Sequence, residues 1–269
     1  MRGLSRSSFA TVEERFNTVA ASADFGRLAE DLNAVADLLD REHGLRRSLS
    51  DPARPAAQKA EVARVLLTGR ICDAALETTV AAVEAKWSRS HDLPDALERL
   101  GVVAACAEAE SQGRLDDLED ELFRFSRILA SSPELRRALT DPDAPAEGKR
   151  RLLEDLLGGK VTSATLRLIT HLVLHPRGRS LEQGLEEFGT LAAQQRQRLV
   201  AVVRSAVPLS EAQKRRLVTW LRASYGRDVH LNVEVDPRVL GGFSIRIGDE
   251  IIDTTIAGRI EEVRRRLAG

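Results

Sequence analysis

The chain has 269 residues, enough for two or three small domains, and a formal net charge of −1 at pH 7. This balance provides no basic field for nucleic acid or anionic lipid, and aromatic residues, at 4%, leave few rings for stacking bases. No apolar run approaches the roughly 18 residues of a membrane span, and the N-terminus lacks the apolar core of a signal peptide. We therefore expect membrane association only through partners. Cys72 and Cys106, the only cysteines, are interpreted as reduced packing residues.

The first hundred residues show apolar positions at helical spacing, interrupted by short breaks. An apolar residue at every third or fourth position predicts a helix with one buried face. Four such stripes are Phe9, Val12, Phe16 and Val19; Leu28, Leu32, Val35 and Leu39; Leu76, Val80, Val83 and Trp87; and Leu93, Leu97 and Leu100. Asp24-Phe25-Gly26 separates the first two helices, and Pro55 suits the first turn of another helix that runs to Gly69.

The middle of this helical region recurs ninety residues further along the chain. Leu45–Arg70 and Leu135–Lys160 are identical at 12 of 26 positions, where ordinary composition would give roughly two or three matches. Farther on, Leu97–Ala105 resembles Leu185–Ala193 at a shift of 88. A repeat of this length predicts an internal duplication of a helical bundle of roughly 95 residues.

The duplication predicts two tandem bundles with the same helix order. We place copy one at residues 1–105 and copy two at residues 106–198. The segment from Pro94 to about Gly113 contains few helix breakers. We therefore expect one long helix at the junction, shared by both copies.

From Leu199 onward the apolar pattern changes to that of strands. Leu199–Val203 is rich in β-branched residues and predicts a buried strand, whereas Val229–Val235 alternates apolar and polar residues. Between them, Ser210-Glu211-Ala212-Gln213 is a capping box that opens a helix to about Tyr225. Helix and strands in this order predict a small α+β domain over residues 199–269. The whole chain is thus predicted to be mainly α, with two tandem N-terminal helical bundles before this domain.

The C-terminal stretch predicts a bend, a hairpin and a final helix. Gly241-Gly242 permits a tight bend, and the alternating residues Phe243–Ile247 form a strand. Gly248-Asp249 fits a hairpin turn before a return strand at Ile251-Ile252. A final helix, capped by one of three residues, carries an apolar stripe; the caps are Asp253, Thr254 or Thr255, and the stripe is Ile256, Ile260, Val263 and Leu267.

Residue patterns that carry catalysis or bind metals and cofactors are sparse in this sequence. His171 and His175 have the spacing of zinc-binding histidines on a helix, but no glutamate follows His171 and no third ligand is evident. We interpret them as two histidines that share a helix face. Gly241-Gly242 lacks the lysine and the surrounding glycines of a phosphate loop. The sequence therefore predicts no catalytic residue, no cofactor and no metal site.

The C-terminal motif resembles the signature of a known family. The motif runs from Leu240-Gly241-Gly242 through Ile247-Gly248-Asp249 to Ile252-Asp253 and Gly258-Arg259-Ile260-Glu261. It is similar to the pattern of the rotary ATP synthase delta subunit family, also known as the oligomycin-sensitivity-conferring protein. Family members often carry Gly-Ser where this chain has Thr254-Thr255, and threonine keeps the capping hydroxyl. They usually have one helical bundle, so the second copy is a departure.

The resemblance implies an interaction protein, not an enzyme: a peripheral-stalk (stator) subunit of the proton-translocating ATP synthase. In the family, the helical bundle holds the N-terminal helices of the alpha subunits of the catalytic head. The C-terminal domain holds the C-terminal end of the b subunit, so the subunit resists the torque of the rotor. The implied location is the cytoplasmic face of the cell membrane, with no direct membrane contact and no nucleic acid partner. The alternative is a stand-alone helical-repeat adaptor with unrelated protein partners.

The resemblance also suggests which residues contact these two partners. The family's head-binding groove lies between the first and fifth helices of the bundle. Mapped onto copy one, it gives the head-contact candidates Phe9, Val12, Phe16, Leu76, Val80 and Val83. The stalk-docking candidates are Gly241, Gly242, Phe243, Ile256, Ile260, Val263 and Leu267. The sequence does not distinguish which copy binds the head.

Overall fold

The computed structural model describes residues 3–197, 199–225, 229–236, 242–247 and 250–253. Within these ranges the chain forms twelve helices and four strands, so the prediction of a mainly α protein is confirmed. The chain divides into two compact units, Met1–Gln195 and Arg196–Gly269. The helices that begin in the first unit are α1 Leu4–Ala20, α2 Phe25–Arg41, α3 His43–Ser50, α4 Ala56–Leu67, α5 Asp73–Glu84, α6 Asp92–Ser111, α7 Leu115–Ser131, α8 Pro133–Thr140, α9 Ala146–Leu157, α10 Ser163–Leu174 and α11 Leu181–Gln197.

Four consecutive helices of copy two repeat four helices of copy one. The bounds of α2, α3, α4 and α5 differ by ninety residues, at both ends, from those of α7, α8, α9 and α10. The turns after α4 and α9 also match, because Gly69 and Gly159 both have positive φ, at 75° and 69°. This is the helix order that the duplicated sequence predicts.

A buried carboxylate contact is duplicated as well. Asp31 on α2 accepts a hydrogen bond from the main-chain N–H of Cys72, just before α5, at 2.7 Å. Ninety residues on, the Glu121 carboxylate of α7 accepts from the N–H of Thr162, just before α10, at 2.9 and 3.1 Å. Each bond satisfies a main-chain donor at a helix start, where the first N–H groups have no partner within the helix. In both copies the second helix is thereby fastened to the start of the fifth.

The repeated Leu-Arg-Arg motif has one role in both copies. The buried Arg46 guanidinium donates to the main-chain carbonyls of Leu39 and Asp40, at the end of α2. Arg136 donates to the two equivalent carbonyls at the end of α7. Carbonyls in the last turn of a helix lack partners within it, and a cation there also offsets the helix dipole.

The helix α6 extends across the predicted boundary between the two copies. It runs without interruption from Asp92 to Ser111, as the scarcity of helix breakers predicts. Fourteen of its twenty residues are buried, so it is enclosed on nearly every side. The buried apolar side chains around it form one continuous core that includes residues of both copies. The two copies are therefore parts of a single packed unit.

One predicted stripe extends past the end of its helix. The helix α5 ends at Glu84, so Trp87 lies after it. The Trp87 ring is nevertheless buried, and its Nε1–H donates to the Ala82 carbonyl at 2.8 Å. That carbonyl is in the last turn of α5 and has no partner within the helix. The indole N–H therefore caps the end of α5, while the ring packs in the core.

The second unit is a four-stranded sheet with one described helix. Its elements are β1 Leu199–Ser205, α12 Glu211–Tyr225, β2 Val229–Val235, β3 Phe243–Ile247 and β4 Glu250–Asp253. The strand order is β2-β1-β3-β4, with β1 and β2 parallel and the other two pairs antiparallel. The predicted capping box is confirmed, because Ser210 Oγ accepts from the N–H of Gln213 and Gln213 Oε1 accepts from the N–H of Ser210.

The core of the second unit is separate from that of the first. It consists of Ala201, Val203, Leu217, Leu221, Val229, Ile245 and Ile247. Other predicted features lie outside the described residues. These are the first glycine of the bend, Gly241; the hairpin turn, Gly248-Asp249; and the final helix with Ile256, Ile260, Val263 and Leu267.

Candidate interaction surfaces

The head-contact candidates lie on α1 and α5, and most of them belong to the core. Four are at most 3% exposed: Val12, Phe16, Val80 and Val83. Phe9 and Leu76 are half-buried. The Phe9 ring faces α6, where the guanidinium carbon of Arg99 lies 5.3 Å from the ring centre. The four buried side chains therefore support the surface between α1 and α5 from below, and Phe9 packs towards α6.

The line along which α1 and α5 meet is termed here the copy-one seam. Near one end Ser8 Oγ donates to the Lys86 carbonyl at 2.6 Å, and near the other Arg15 and Glu77 form an ion pair at 2.6 Å. Residue numbers rise along one helix as they fall along the other, so the two helices are antiparallel. The exposed pair adds little stability, but it fixes the register of the seam.

No described helix lies over the outer side of the copy-one seam. The two end contacts set which residues of α1 and α5 lie opposite each other. The middle of the seam is therefore at Thr11 on α1, which is exposed, and Ala81 on α5, which is half-buried. Only one stripe of α1 is buried, consisting of Ser5, Val12, Phe16 and Ala20. A line between two helices with small side chains at its middle suits a helix from another protein.

The copy-two seam, between α6 and α10, is the equivalent line ninety residues on. Glu98 on α6 contacts His171 on α10, with 3.2 Å between Oε1 of the carboxylate and Nε2 of the ring. Glu108 of α6 pairs with Arg167 of α10. The middle of this seam holds Gly101 and His171, the positions that correspond to Thr11 and Ala81.

The copy-two seam is covered by α2 of copy one. A side chain at Gly101 would meet Asn33 Oδ1 at 2.4 Å, so α2 approaches α6 closely there. Asp37 lies 3.2 Å from His175, between Oδ2 and Nε2, and 3.8 Å from Nδ1 of His171. Because Asn33 and Asp37 share one face of α2, that helix lies along the seam. Among the residues that the structure describes, the same line is thus open in copy one and filled in copy two.

A junction cluster of charged side chains joins the two copies beside this seam. It consists of Asp37, Asp40, Asp95, Glu98, His171, His175, Arg177 and Arg179. Arg177 pairs with Asp40 at 2.8 Å and with Asp95 at 2.9 Å. Its φ is 53°, a left-handed conformation that costs a residue with a side chain roughly 1 kcal/mol or more. The loop after α10 is therefore held in a strained shape that aims Arg177 at copy one.

Burial and charge together set the protonation of this cluster. Burial raises the pKa of Asp37 to about 6, although the nearby His171 and Arg177 act in the opposite direction. Burial lowers the pKa of His175 to about 4, and the neighbouring His171 acts in the same direction. Burial acts to raise the pKa of Glu98, but the His171 hydrogen bond and the Arg179 charge outweigh it and hold that pKa below its usual range.

The second unit presents an apolar groove between α12 and the sheet. The groove has a volume of about 400 Å³ and is lined mainly by Leu209, Leu217, Trp220, Phe243, Ile245 and Ile252. Trp220 is 49% exposed, a large apolar ring open to solvent or to a partner. Of the stalk-docking candidates, Phe243 lines this groove, and Gly242 precedes it with a φ of 77°. The other five lie outside the described residues.

Three features of these surfaces were not predicted from the sequence. The first is the position of α2 over the copy-two seam, and the second is Asp37, which lies beside both His171 and His175. The third is the exposed apolar face of α4, which consists of Val62, Val65 and Leu66. Their spacing of three and four residues was a signal in the sequence, but an apolar stripe on a helix is ordinarily buried. The Asp37 contact had no signal, because residues 134 positions apart share no local periodicity.

The fold and these surfaces define a class of protein. A duplicated helical unit with one open seam precedes a small α+β unit with an apolar groove, which is the organisation of a protein that binds others. Among the described residues, no helix combines the length and apolar character needed to cross a membrane. Residues 102–267 match the family described as ATP synthase delta (OSCP) subunit.

Similarity to individual proteins extends over the full length. The ATP synthase subunit delta of Thermobifida fusca is 52% identical over all of both chains, and that of Streptomyces griseus is 51% identical over all of both. The protein of the same name from Streptomyces avermitilis is 50% identical over 99% of this chain and 98% of its own. The chain therefore belongs to the ATP synthase delta (OSCP) subunit family, and the predicted resemblance is confirmed. This membership also confirms the prediction of a structural subunit and not an enzyme.

Among solved structures, one match is a chain from the Toxoplasma gondii mitochondrial ATP synthase hexamer. It is 21% identical and covers 62% of this chain and 95% of its own, with a TM-score of 0.30. A score this low carries no argument about the fold. The family assignment rests on the sequence matches alone.

Proposed function

We propose that this chain links the catalytic head of a rotary ATP synthase to its peripheral stalk and resists the torque of the rotor. Its first unit holds N-terminal helices of the alpha subunits, and its second unit holds the C-terminal end of the b subunit. The chain thus lies at the cytoplasmic face of the cell membrane and is attached to the membrane only through the complex. Family membership supports this assignment, and the open copy-one seam is the structural observation that carries it.

Of the two copies, copy one binds the head. The copy-two seam already holds the chain's own α2, with Asn33 against Gly101 and Asp37 against His171. A second helix cannot occupy that line without displacing α2 from the core. The copy-one seam has no such cover among the described residues, and α1 buries only one stripe. The α2 helix on the copy-two seam supports, by analogy, a mode in which copy one takes a helix from the head.

The b subunit docks on the second unit. The apolar groove between α12 and the sheet, with the exposed Trp220 at its edge and Phe243 in its wall, supports this assignment. Apolar side chains of a helix end fit such a groove, and Trp is one of the residues enriched among binding hot spots. The candidates Gly241, Ile256, Ile260, Val263 and Leu267 stay part of the proposal.

The head contact is tested by a substitution at the middle of the copy-one seam. Thr11→Arg adds a long charged side chain at an exposed position, so it should leave the bundle folded. We expect it to weaken binding of a synthetic N-terminal peptide of the alpha subunit at least tenfold, measured by calorimetry with the full chain, because a bulky side chain at the centre of an interface prevents close packing. Unaltered binding by Thr11→Arg would contradict the assignment to this seam.

Val65→Arg is the matched control. Val65 lies on α4 of the same copy and is 73% exposed, so the change introduces the same charge and length away from the seam. Peptide binding should be unaffected. If Val65→Arg abolishes binding and Thr11→Arg does not, the head contacts the apolar face of α4 instead.

The alternative of a stand-alone helical-repeat adaptor makes a different prediction. A stalk subunit co-purifies with the membrane-bound ATPase when a tagged form of the full chain is isolated from its own cells. An adaptor with unrelated partners is recovered without ATPase subunits. Recovery of the chain free of alpha and b subunits under conditions that keep the ATPase intact would favour the adaptor.

A further inference from the structure

Three side chains of the junction cluster converge from two helices of different copies. Asp37 belongs to α2, and His171 and His175 are one turn apart on α10. One donor atom from each residue lies within 4.8 Å of those of the other two. Zn²⁺ binds imidazole nitrogens and carboxylate oxygens at about 2.0–2.2 Å, which puts tetrahedral ligands about 3.3 Å apart. The 3.2 Å and 3.8 Å separations of Asp37 Oδ2 from His175 and His171 bracket this value.

The surroundings of these three residues are those of a metal site. Glu98 Oε1 lies 3.2 Å from Nε2 of His171, so that nitrogen donates to the carboxylate and leaves Nδ1 free to face Asp37. A carboxylate behind a ligating histidine is the usual arrangement in zinc proteins, because it fixes the tautomer and orients the ring. The positive charge of Arg177 nearby is compensated by Asp40 and Asp95.

Two further observations point to an unassigned cation. Asp37 Oδ1 is buried and has no hydrogen-bond partner among the described residues. A buried carboxylate oxygen without a partner is costly, and an ion bound by both carboxylate oxygens of Asp37 would satisfy Oδ1 together with Oδ2. The three side chains also line a cavity of about 600 Å³, which has room for a water molecule as a fourth ligand.

We propose that Asp37, His171 and His175 form a binding site for one Zn²⁺ ion, with Glu98 as the residue that orients His171. The site is particular to the junction. The copy-one positions equivalent to the two histidines are Ala81 and Ala85, and the copy-two position equivalent to Asp37 is Arg127. The ion joins α2 of copy one to α10 of copy two and so pins α2 onto the copy-two seam.

The test is a titration of the full-length chain with zinc chloride after removal of metals by a chelator. Calorimetry should show one Zn²⁺ per chain, and Asp37→Asn and His175→Ala should each weaken binding at least tenfold. Glu98→Gln keeps the three ligands and should weaken binding tenfold to a hundredfold, the usual effect of altering an orienting residue. Added Zn²⁺ should raise the midpoint of thermal unfolding by several degrees in the unaltered chain and not in His175→Ala. Cobalt(II) chloride serves as the spectroscopic probe, and visible bands of a four-coordinate ion should appear only with an intact site.

The double variant His43→Ala/His91→Ala is the control, since both histidines are exposed and lie outside the three ligands. The variant lacks two imidazoles, as many as the proposed site contains. Its affinity for Zn²⁺ should equal that of the unaltered chain. His175 is about a third exposed, so its replacement should leave the fold intact, and circular dichroism without metal checks this. Three outcomes would overturn the proposal: no binding by the unaltered chain, binding unaffected by Asp37→Asn and His175→Ala, or equal loss in the control variant.

Discussion

At the scale of single residues, Gly101 and Gly189 show how duplicated positions acquire different roles. Both are interior helix positions matched by the repeat, but a Cβ at Gly101 would meet Asn33 and the Ala29 carbonyl, whereas one at Gly189 meets nothing within 4 Å. Gly101→Leu should therefore lower the free energy of unfolding by about 3 kcal/mol through overpacking. Gly189→Leu should raise it by about 0.5–0.8 kcal/mol, the gain in helix propensity. Denaturant unfolding of both variants checks this, and equal effects would refute the close approach of α2 to α6.

Arg177 offers a second test at this scale, because its side chain and its backbone act in opposite directions. Arg177→Ala should cost roughly 2–3 kcal/mol, less than a fully buried pair, since Asp95 is 45% exposed. Arg177→Gly loses the same ion pairs but relieves the positive φ, so it should be more stable than the alanine variant by about 1 kcal/mol. If the two variants unfold at the same denaturant concentration, the strained backbone has no energetic cost here.

At the scale of elements, the carboxylate that fastens the second helix to the fifth is the clearest duplicated device. Asp31→Ala should cost about 2 kcal/mol, as should Glu121→Ala, because each leaves a main-chain N–H without its charged acceptor. Hydrogen exchange locates the effect. Exchange should accelerate at Thr162 in Glu121→Ala and at Cys72 in Asp31→Ala, each change leaving the other copy's amide protected. Acceleration at both amides in either variant would mean that the two contacts are coupled.

At the scale of the whole molecule, the two units should be separable in function. Deleting residues 254–269 should abolish binding to the b subunit, because the removed stripe of four apolar side chains would contribute about 1.5–3 kcal/mol for each one buried. The helical bundles should stay folded and hold the head, since residues 1–195 form a compact unit with its own core. The assembled enzyme should hydrolyse ATP but pump protons poorly. Normal b-subunit binding together with normal ATP-driven proton pumping in the truncated complex would remove this segment from the mechanism.

Local patterns in the sequence determined much of this protein. Apolar stripes, breaks and the capping box at Ser210 predicted the helices α1, α2, α4, α5, α6 and α12, because helix periodicity and end capping depend on neighbouring residues. The ninety-residue repeat predicted that helix order recurs, since equivalent residues make equivalent contacts, as Asp31 and Glu121 do. The C-terminal motif identified the family for the same reason: its glycines and strand residues follow one another along the chain.

The tertiary structure alone decided how the two copies meet. Both copies have the same helices, yet α2 covers the copy-two seam and no described helix covers the copy-one seam. The difference depends on residues far apart in sequence, such as Asn33 against Gly101 and Asp37 beside His171. Packing between residues far apart in the sequence depends on the shape and charge of both surfaces, and the apolar periodicity of each helix contains no information about its partner. The resemblance placed the head contact at apolar residues of α1 and α5, and the structure shows that two of these, Val12 and Val83, are buried in the core.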